Sequence, residues 1–236
     1  MLGSTEGPSD KFSSANDLYN EANYDSAFTL YESLITEGNL SFELFFNAGN
    51  AAYQLQKNGP TILYFEKAKK LDPGNVDIQH NLLIAHKSLI DKVDLEESSK
   101  ASERIMAILS RSPNYWGWGA IVLCFASMAL FTLYKISSTR RNKLIGFVLG
   151  IASLILSLIV LVLAIVQTNY VQTHDSGVIM KQSVTLLNAP NEDAESAFIL
   201  HEGTKAEVKS NANGWFEVIY SDGKIGWVNE TEFELI

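Results

Sequence analysis

The chain has 236 residues, a formal net charge of −9, with 18 Lys and Arg against 27 Asp and Glu, and 47% hydrophobic residues. An acidic chain is poorly suited to phosphate backbones, so this balance argues against nucleic-acid binding. The single cysteine, Cys124, excludes an internal disulfide framework or cysteine metal site, and we expect it to be a small packing residue.

Charge is unevenly distributed along the chain. Residues 1–114 hold 10 basic and 16 acidic side chains, residues 135–143 hold 4 and 0, and residues 167–236 hold 4 and 11.

We interpret residues 1–10 as a flexible N-terminus. Because this segment has neither a basic nor an apolar region, an exported chain numbered this way is expected to have lost a signal peptide. The alternative is that the first apolar helix translocates its own N-terminal tail.

Residues 8–75 contain an internal repeat whose period is about 34 residues. Small and aromatic residues coincide when the chain is shifted by one period: Ala15 with Gly49, Tyr19 with Tyr53, Ala27 with Thr61, Tyr31 with Phe65 and Leu34 with Ala68. This pattern resembles the tetratricopeptide repeat, which predicts antiparallel helical hairpins over residues 11–93. A third copy, about Val76 to Val93, supplies one helix that caps the array.

The resemblance implies a protein-binding concave face built from the first helix of each pair. The expected partner-binding residues are Phe12, Asn16, Tyr19, Phe46, Asn50, Tyr53, His80 and Lys87. Phe46 and Tyr53 fit packing between repeats equally well. We expect no carboxylate clamp, since the companion basic residues are absent, and His80 is expected to cap or solvate a helix rather than bind metal.

Two charge-free runs follow, at 115–134 and 144–166. At about 1.5 Å per helical residue, each spans the roughly 30 Å hydrocarbon core of a bilayer. We predict two transmembrane helices joined by a basic cytoplasmic loop, 135–143. Two core helices of a soluble protein are the alternative, and they need a far larger domain. Residues 94–114 are interpreted as a juxtamembrane linker, either a short amphipathic helix or a tether.

A hairpin with a cytoplasmic loop places both ends of the chain on the other side of the membrane. The bias is one of charge density rather than number, because four basic residues also lie near the outer helix ends: Lys100, Arg104, Arg111 and Lys181. We therefore predict a two-pass protein of the bacterial inner membrane with both terminal modules in the periplasm.

After a linker at 167–176, residues 177–236 show short β-rich segments separated by turn residues. Asn213-Gly214 and Asp222-Gly223 are residue pairs typical of hairpin turns. The segment around Trp215 and Trp227 resembles a bacterial SH3-like domain, which implies a small all-β barrel that binds cell-wall peptides or proteins. Trp215, Tyr220 and Trp227 form the candidate surface, although both tryptophans are also typical of core and rim packing.

No catalytic arrangement is present in the sequence. It has no Gly-rich phosphate loop and no nucleophile elbow, and its four histidines lack acids at ligand spacing. We expect no enzymatic activity, no metal and no cofactor.

The order of modules, repeats followed by a membrane hairpin and an SH3-like domain, resembles BatE-like proteins, the E proteins of the bacterial Bat (aerotolerance) operon. The resemblance implies a membrane-anchored scaffold that works with other envelope proteins, including those with von Willebrand factor A domains, in envelope or oxidative-stress homeostasis. The alternative function is a cell-wall (peptidoglycan) binding sensor.

Overall fold

The computed structural model describes residues 7–91, 113–173, 175–220 and 223–236. Within these residues the chain forms seven helices and seven strands. They make two compact units. One unit comprises the N-terminal helices, here the helical module (residues 7–91), together with the C-terminal sheet, here the sheet module (residues 175–236). The other contains the two long apolar helices, here the apolar hairpin.

The helical module has five helices. The first helices of successive pairs begin one sequence period apart, as do the second helices, so the sequence period becomes a structural period. The bounds are α1 Pro8–Asn20, α2 Tyr24–Thr36, α3 Phe42–Gln54, α4 Asn58–Leu71 and α5 Val76–Lys87. α1 therefore begins before the predicted start of the module, and α5 ends before the predicted Val93.

Local signals explain several of these helix ends. The Ser41 side chain accepts a hydrogen bond from the Leu44 N–H at 3.1 Å, and Asn75 caps α5 in the same way. The turns from α1 to α2 and from α3 to α4 each contain a residue in the left-handed region, Ala22 at φ 60° and Gln56 at φ 59°. These positions are equivalent in successive repeats, and neither is a glycine.

The core of the helical module contains the small and aromatic positions that the repeat predicted. A Cβ added at Gly49 would lie 2.5 Å from the Phe65 ring, so the two helices touch there only because no side chain intervenes. Tyr53 differs from this prediction, because its side chain is 41% exposed. Repeat positions with side chains at most 2% exposed are Ala15, Ala27, Tyr31, Leu34, Thr61, Phe65 and Ala68.

The apolar hairpin consists of α6, Pro113–Ile136, and α7, Arg140–Thr173. Both helices are long and apolar enough to cross a membrane. They extend beyond the predicted spans, and only residues 137–139 connect them, so the basic residues of the predicted loop lie largely on helix ends.

Small residues form the contact between α6 and α7. The hydroxyls of Ser127, Ser153 and Ser157 each donate to a backbone carbonyl of the opposite helix at 2.9 Å. Gly146 approaches the backbone of α6 so closely that a Cβ would lie 2.8 Å from a carbonyl oxygen. The large apolar side chains point outward instead, as expected for helices that pack in lipid rather than in water.

The sheet module is a seven-stranded antiparallel sheet with strand order β3-β2-β6-β5-β4-β1-β7. Asn213 and Gly214, at φ 52° and 81°, form the predicted tight turn between β4 and β5. The sequence did not predict β7. The strands are β1 Ser176–Ile179, β2 Ser183–Leu187, β3 Ser196–His201, β4 Lys205–Ala212, β5 Trp215–Ile219, β6 Ile225–Asn229 and β7 Phe233–Leu235.

The predicted choice for residues 94–114, an amphipathic helix or a tether, falls almost entirely outside the described residues. The same holds for most of the predicted flexible N-terminus and for three of the basic residues used in the charge comparison, Lys100, Arg104 and Arg111.

Candidate partner-binding surfaces

Asparagines connect the first helices of successive pairs. The Asn47 side-chain amide donates to Asn16 Oδ1 at 2.9 Å, and the Asn81 amide donates to Asn50 Oδ1 at 3.0 Å. The second bond is the first one repeated a full period later in the chain. Asn16 and Asn50 were predicted to offer their side chains to a partner, yet their oxygens already hold neighbouring repeats together.

A polar pocket of about 340 Å³ lies beside the first of these bonds, lined by Asn16, Tyr19, Asn20, Tyr31 and Asn47. The Tyr31 hydroxyl donates to Asn16 Oδ1 at 2.7 Å. Burial raises the pKa of Tyr31 to about 12, so the phenol stays protonated and remains a donor at neutral pH. The pocket therefore presents amide and phenol groups without a formal charge.

Two predicted site aromatics have packing contacts. The Phe12 ring centroid lies 6.0 Å from that of the buried tyrosine of α2. The Phe46 ring lies between the rings of Phe42 and Phe65, with centroid distances of 5.6 Å and 6.1 Å, respectively. Of the two open alternatives for Phe46 and Tyr53, the structure favours packing for Phe46 and exposure for Tyr53.

The remaining residues of the predicted face differ in exposure. Tyr19 is half-buried, its ring 5.2 Å from Tyr24, and burial raises its pKa. His80 and Lys87 on α5 are exposed. The accessible part of the predicted face is thus Tyr53, His80 and Lys87, here called the exposed repeat face.

The contact between the helical module and the sheet module is a second surface, which sequence reasoning missed. Asp91, just beyond α5, accepts hydrogen bonds from the His201 N–H at 2.6 Å and from the Thr204 hydroxyl at 2.7 Å. Its other oxygen lies 2.8 Å from His201 Nδ1. Burial opposes ionisation, but these hydrogen bonds outweigh it and lower the pKa of Asp91.

A buried ion pair lies further along the same contact. The Glu66 carboxylate on α4, 8% exposed, accepts from the Lys205 ammonium at 2.8 Å. Burial alone would raise the pKa of Glu66, but the charge of Lys205 and then that of Lys69 lower it. Glu66 therefore stays ionised although it is buried. Removing Lys205 would leave the buried Glu66 carboxylate without its nearest compensating charge.

The N-terminus of α4 is also capped by the sheet module. The Glu202 carboxylate accepts the Gly59 N–H at 2.9 Å, where a helix leaves its first amides unpaired and favours negative charge. A Cβ at Gly59 would lie 3.2 Å from the Ile179 carbonyl oxygen, so the glycine lets the strand approach. Lys67 pairs with Glu234 at 2.9 Å.

One signal of this contact is present in the sequence. Ile62, Leu63, Tyr64 and Phe65 are consecutive apolar residues, which places apolar side chains on every side of α4. A helix that is apolar all round is covered on more than one face. Val178 of β1 belongs to the apolar core of the helical module, so the sheet supplies the second cover.

His86 lies close to the buried ion pair. Burial lowers its pKa, the charge of Glu66 raises it, and those of Lys69 and Lys205 lower it further. Its Nδ1 is buried and has no hydrogen-bond partner. The neutral imidazole is therefore the form that fits this place.

The predicted aromatic surface of the sheet module divides between two faces. Trp215 and Trp227 lie on the face opposite the sheet core, and both are half-buried. Tyr220 packs against the core on the other face. Among the described residues, no three His, Cys, Asp or Glu side chains are placed to hold a metal ion.

The chain matches no protein-family model, and no curated protein sequence is significantly similar to it.

Proposed function

We propose that this chain is a membrane-anchored scaffold or adaptor that binds partner proteins outside the cytoplasm. In this proposal the helical module is an array of tetratricopeptide-type repeats, the apolar hairpin crosses the bacterial inner membrane twice, and the sheet module is an SH3-like barrel. The role is binding rather than catalysis, in a BatE-like envelope or oxidative-stress complex with partners that include von Willebrand factor A domain proteins.

The contact between the helical and sheet modules is the observation that supports the topology. These modules are separated in sequence by two helices of membrane-crossing length, yet the contact includes Glu66 with Lys205 and Asp91 with His201. Two modules that touch must lie on the same side of a membrane, which requires an even number of crossings. The other end of the apolar hairpin carries four basic residues, which favour a cytoplasmic location for that end: Lys135, Arg140, Arg141 and Lys143.

Reporter fusions test this topology. A periplasm-active reporter joined after Ile236 or before the helical module should be active, and the same reporter inserted between Ser138 and Thr139 should be inactive. An active reporter in the loop together with inactive reporters at both ends would refute the arrangement.

The helical repeats support a binding role. A repeat array of this kind exposes one side of its first helices, and here that side carries the exposed repeat face, with Tyr53 41% exposed. The described contacts with the sheet module come from α4 and the end of the module at Asp91. They leave that face available to a partner.

Crosslinking pull-downs from membranes test the binding role. The triple variant Tyr53→Ser, His80→Ala and Lys87→Ala should lose the partners that wild type recovers, with unchanged helicity. A matched control replaces two exposed residues of α2, Thr29→Ala and Thr36→Ala, and should keep them. Retention by the triple variant together with loss after deletion of 177–236 would assign binding to the sheet module. If the chain binds purified cell wall and recovers no partner proteins, the cell-wall sensor is favoured.

A further inference from the structure

All charged residues of the apolar hairpin are basic, and all lie at one end of it. Residues 113–173 contain no aspartate or glutamate. Their four basic residues fall within nine positions around the connection between α6 and α7, and we call this set the basic hairpin end: Lys135, Arg140, Arg141 and Lys143. This end of the hairpin therefore carries positive charge that no acidic residue of the same unit can balance.

The four side chains of the basic hairpin end are exposed. The ion pairs of the described residues lie within the helical module, within the sheet module or between the two. In that part of the chain, none of them involves the apolar hairpin. Because like charges held close together repel one another, the basic hairpin end is most stable where its surroundings supply negative charge.

Close packing of α6 and α7 concentrates this charge. A Cβ added at Gly146 would lie 2.8 Å from the Leu130 carbonyl oxygen and 2.9 Å from the Tyr134 backbone nitrogen, so the two backbones touch at this level. Lys135 directly follows the last of these contact residues, and Lys143 lies about one helical turn before Gly146. The backbone positions that carry the two lysines are therefore close together at the hairpin end.

The position of these charges along the helices corresponds to the headgroup layer of a bilayer. Lys135 directly follows the charge-free run 115–134, and Lys143 directly precedes the charge-free run 144–166. In helices long and apolar enough to cross a membrane, the first charged residue beyond the apolar run lies at the boundary between hydrocarbon and headgroups. Tyr134, whose ring centroid is 5.6 Å from that of Phe147, is of a residue type enriched at this boundary. The negative groups at this level are lipid phosphates.

We propose that the basic hairpin end binds the headgroups of anionic phospholipids through their phosphodiester group. An arginine guanidinium can donate two parallel N–H bonds to phosphate oxygens, and a lysine ammonium adds a point charge. A zwitterionic lipid carries the same phosphate together with its own ammonium, which cancels the charge. Anionic lipids are therefore preferred, and each lysine or arginine near an anionic membrane surface strengthens the attraction about fivefold.

This inference rests on the proposed function in one respect, the crossing of the membrane by the apolar hairpin. It does not depend on which proteins bind the terminal modules. A chain that enters a bilayer without lipid preference would refute the inference alone, whereas a chain that does not enter a bilayer would refute both.

The test inserts the full chain into nanodiscs made of equal parts of phosphatidylglycerol and phosphatidylcholine with identical acyl chains. Native mass spectrometry then counts the lipids that remain bound to the released protein. Phosphatidylglycerol should be retained at least about fivefold more often than phosphatidylcholine. Excess inorganic phosphate should leave this preference unchanged, because the acyl chains of the lipid hold its phosphate beside the hairpin and a free ion has no such anchor.

Two double variants and a control connect the preference to its residues. Arg140→Gln with Arg141→Gln removes two charges and should bring the retention of the two lipids close to equal. Arg140→Lys with Arg141→Lys keeps the charge and should keep most of the preference. The control, Lys209→Gln with Lys224→Gln, removes two exposed charges from the sheet module and should change nothing. Equal incorporation of all variants into nanodiscs checks that the hairpin still inserts.

Four outcomes would overturn the proposal. Wild type could retain the two lipids equally, or the glutamine double variant could keep the full preference. Loss of the preference in excess inorganic phosphate would make this a site for the free ion. Release of phosphatidylglycerol by a hexaglutamate peptide would assign the basic hairpin end to an acidic protein segment.

Discussion

Replacing Asp91 by alanine should raise the population in which the two modules are undocked, without unfolding either module. The side chain is 15% exposed and accepts from the His201 N–H, the Thr204 hydroxyl and the His201 ring. Truncating one partner of a buried, hydrogen-bonded charged contact costs about 2–5 kcal/mol. Because the His201 side chain is 30% exposed and water can replace part of the contact, we expect the lower half of that range, about 2–3 kcal/mol. The undocked population should rise roughly 30- to 150-fold.

Amide hydrogen exchange of the full chain measures this effect at two places. The His201 N–H loses its acceptor directly, so its exchange should accelerate. The Gly59 N–H does not touch Asp91, and it is protected by Glu202 across the same contact. Its exchange should accelerate by a similar factor, because separation of the modules exposes both amides.

An exposed carboxylate on α5 provides the control. Asp77→Ala should leave both amides as in wild type. Faster exchange at His201 with unchanged exchange at Gly59 would refute the reasoning, because Asp91 would then stabilise only its own hydrogen bonds and not the docking of the modules.

Three further predictions concern packing, backbone conformation and pH. Gly49→Ala should lower the free energy of unfolding by about 1–3 kcal/mol, because its Cβ would overlap the Phe65 ring, and denaturant titration that shows no change would contradict the packing described. Gln56→Gly should raise the free energy of unfolding by about 1 kcal/mol, since φ 59° favours glycine; a decrease in the same titration would mean that the turn is not left-handed in solution. Burial lowers the pKa of His86 below 6.5, so the unfolded chain binds a proton more readily, and stability should be lost as the pH falls through 6.5 and below. In His86→Gln that loss should be smaller. An equal loss would show that protonation of His86 does not contribute to the pH dependence of stability.

Periodic and local features of the fold could be predicted from the sequence. The internal repeat predicted the helical pairs, because helix packing demands small residues at fixed intervals, such as Ala15 and Gly49. Two long charge-free runs predicted the apolar helices, since length and composition alone decide whether a helix can cross a bilayer. Asn213-Gly214 predicted a hairpin because few residue pairs adopt positive φ at both positions.

Contacts between distant residues depended on tertiary structure. The sequence predicted that Asn16 and Asn50 contact a partner, whereas the arrangement of α1, α3 and α5 places their oxygens in hydrogen bonds between repeats. The pairing of Glu66 with Lys205 could not be predicted, since nothing in a local pattern connects residues on either side of the apolar hairpin.

The outer face of the sheet module depends on strand register in the same way. The sequence placed Trp215 and Trp227 in neighbouring strands, but a shift of one residue would turn every side chain of one strand to the opposite face. Only the pairing of Glu217 with Trp227 puts Trp215 and Trp227 on the same face of the sheet. The chain's own residues thus determined the elements through local backbone and burial preferences. Tertiary structure decided which polar groups pair with each other. Water satisfies the hydrogen bonds of polar side chains equally well until docking removes that water.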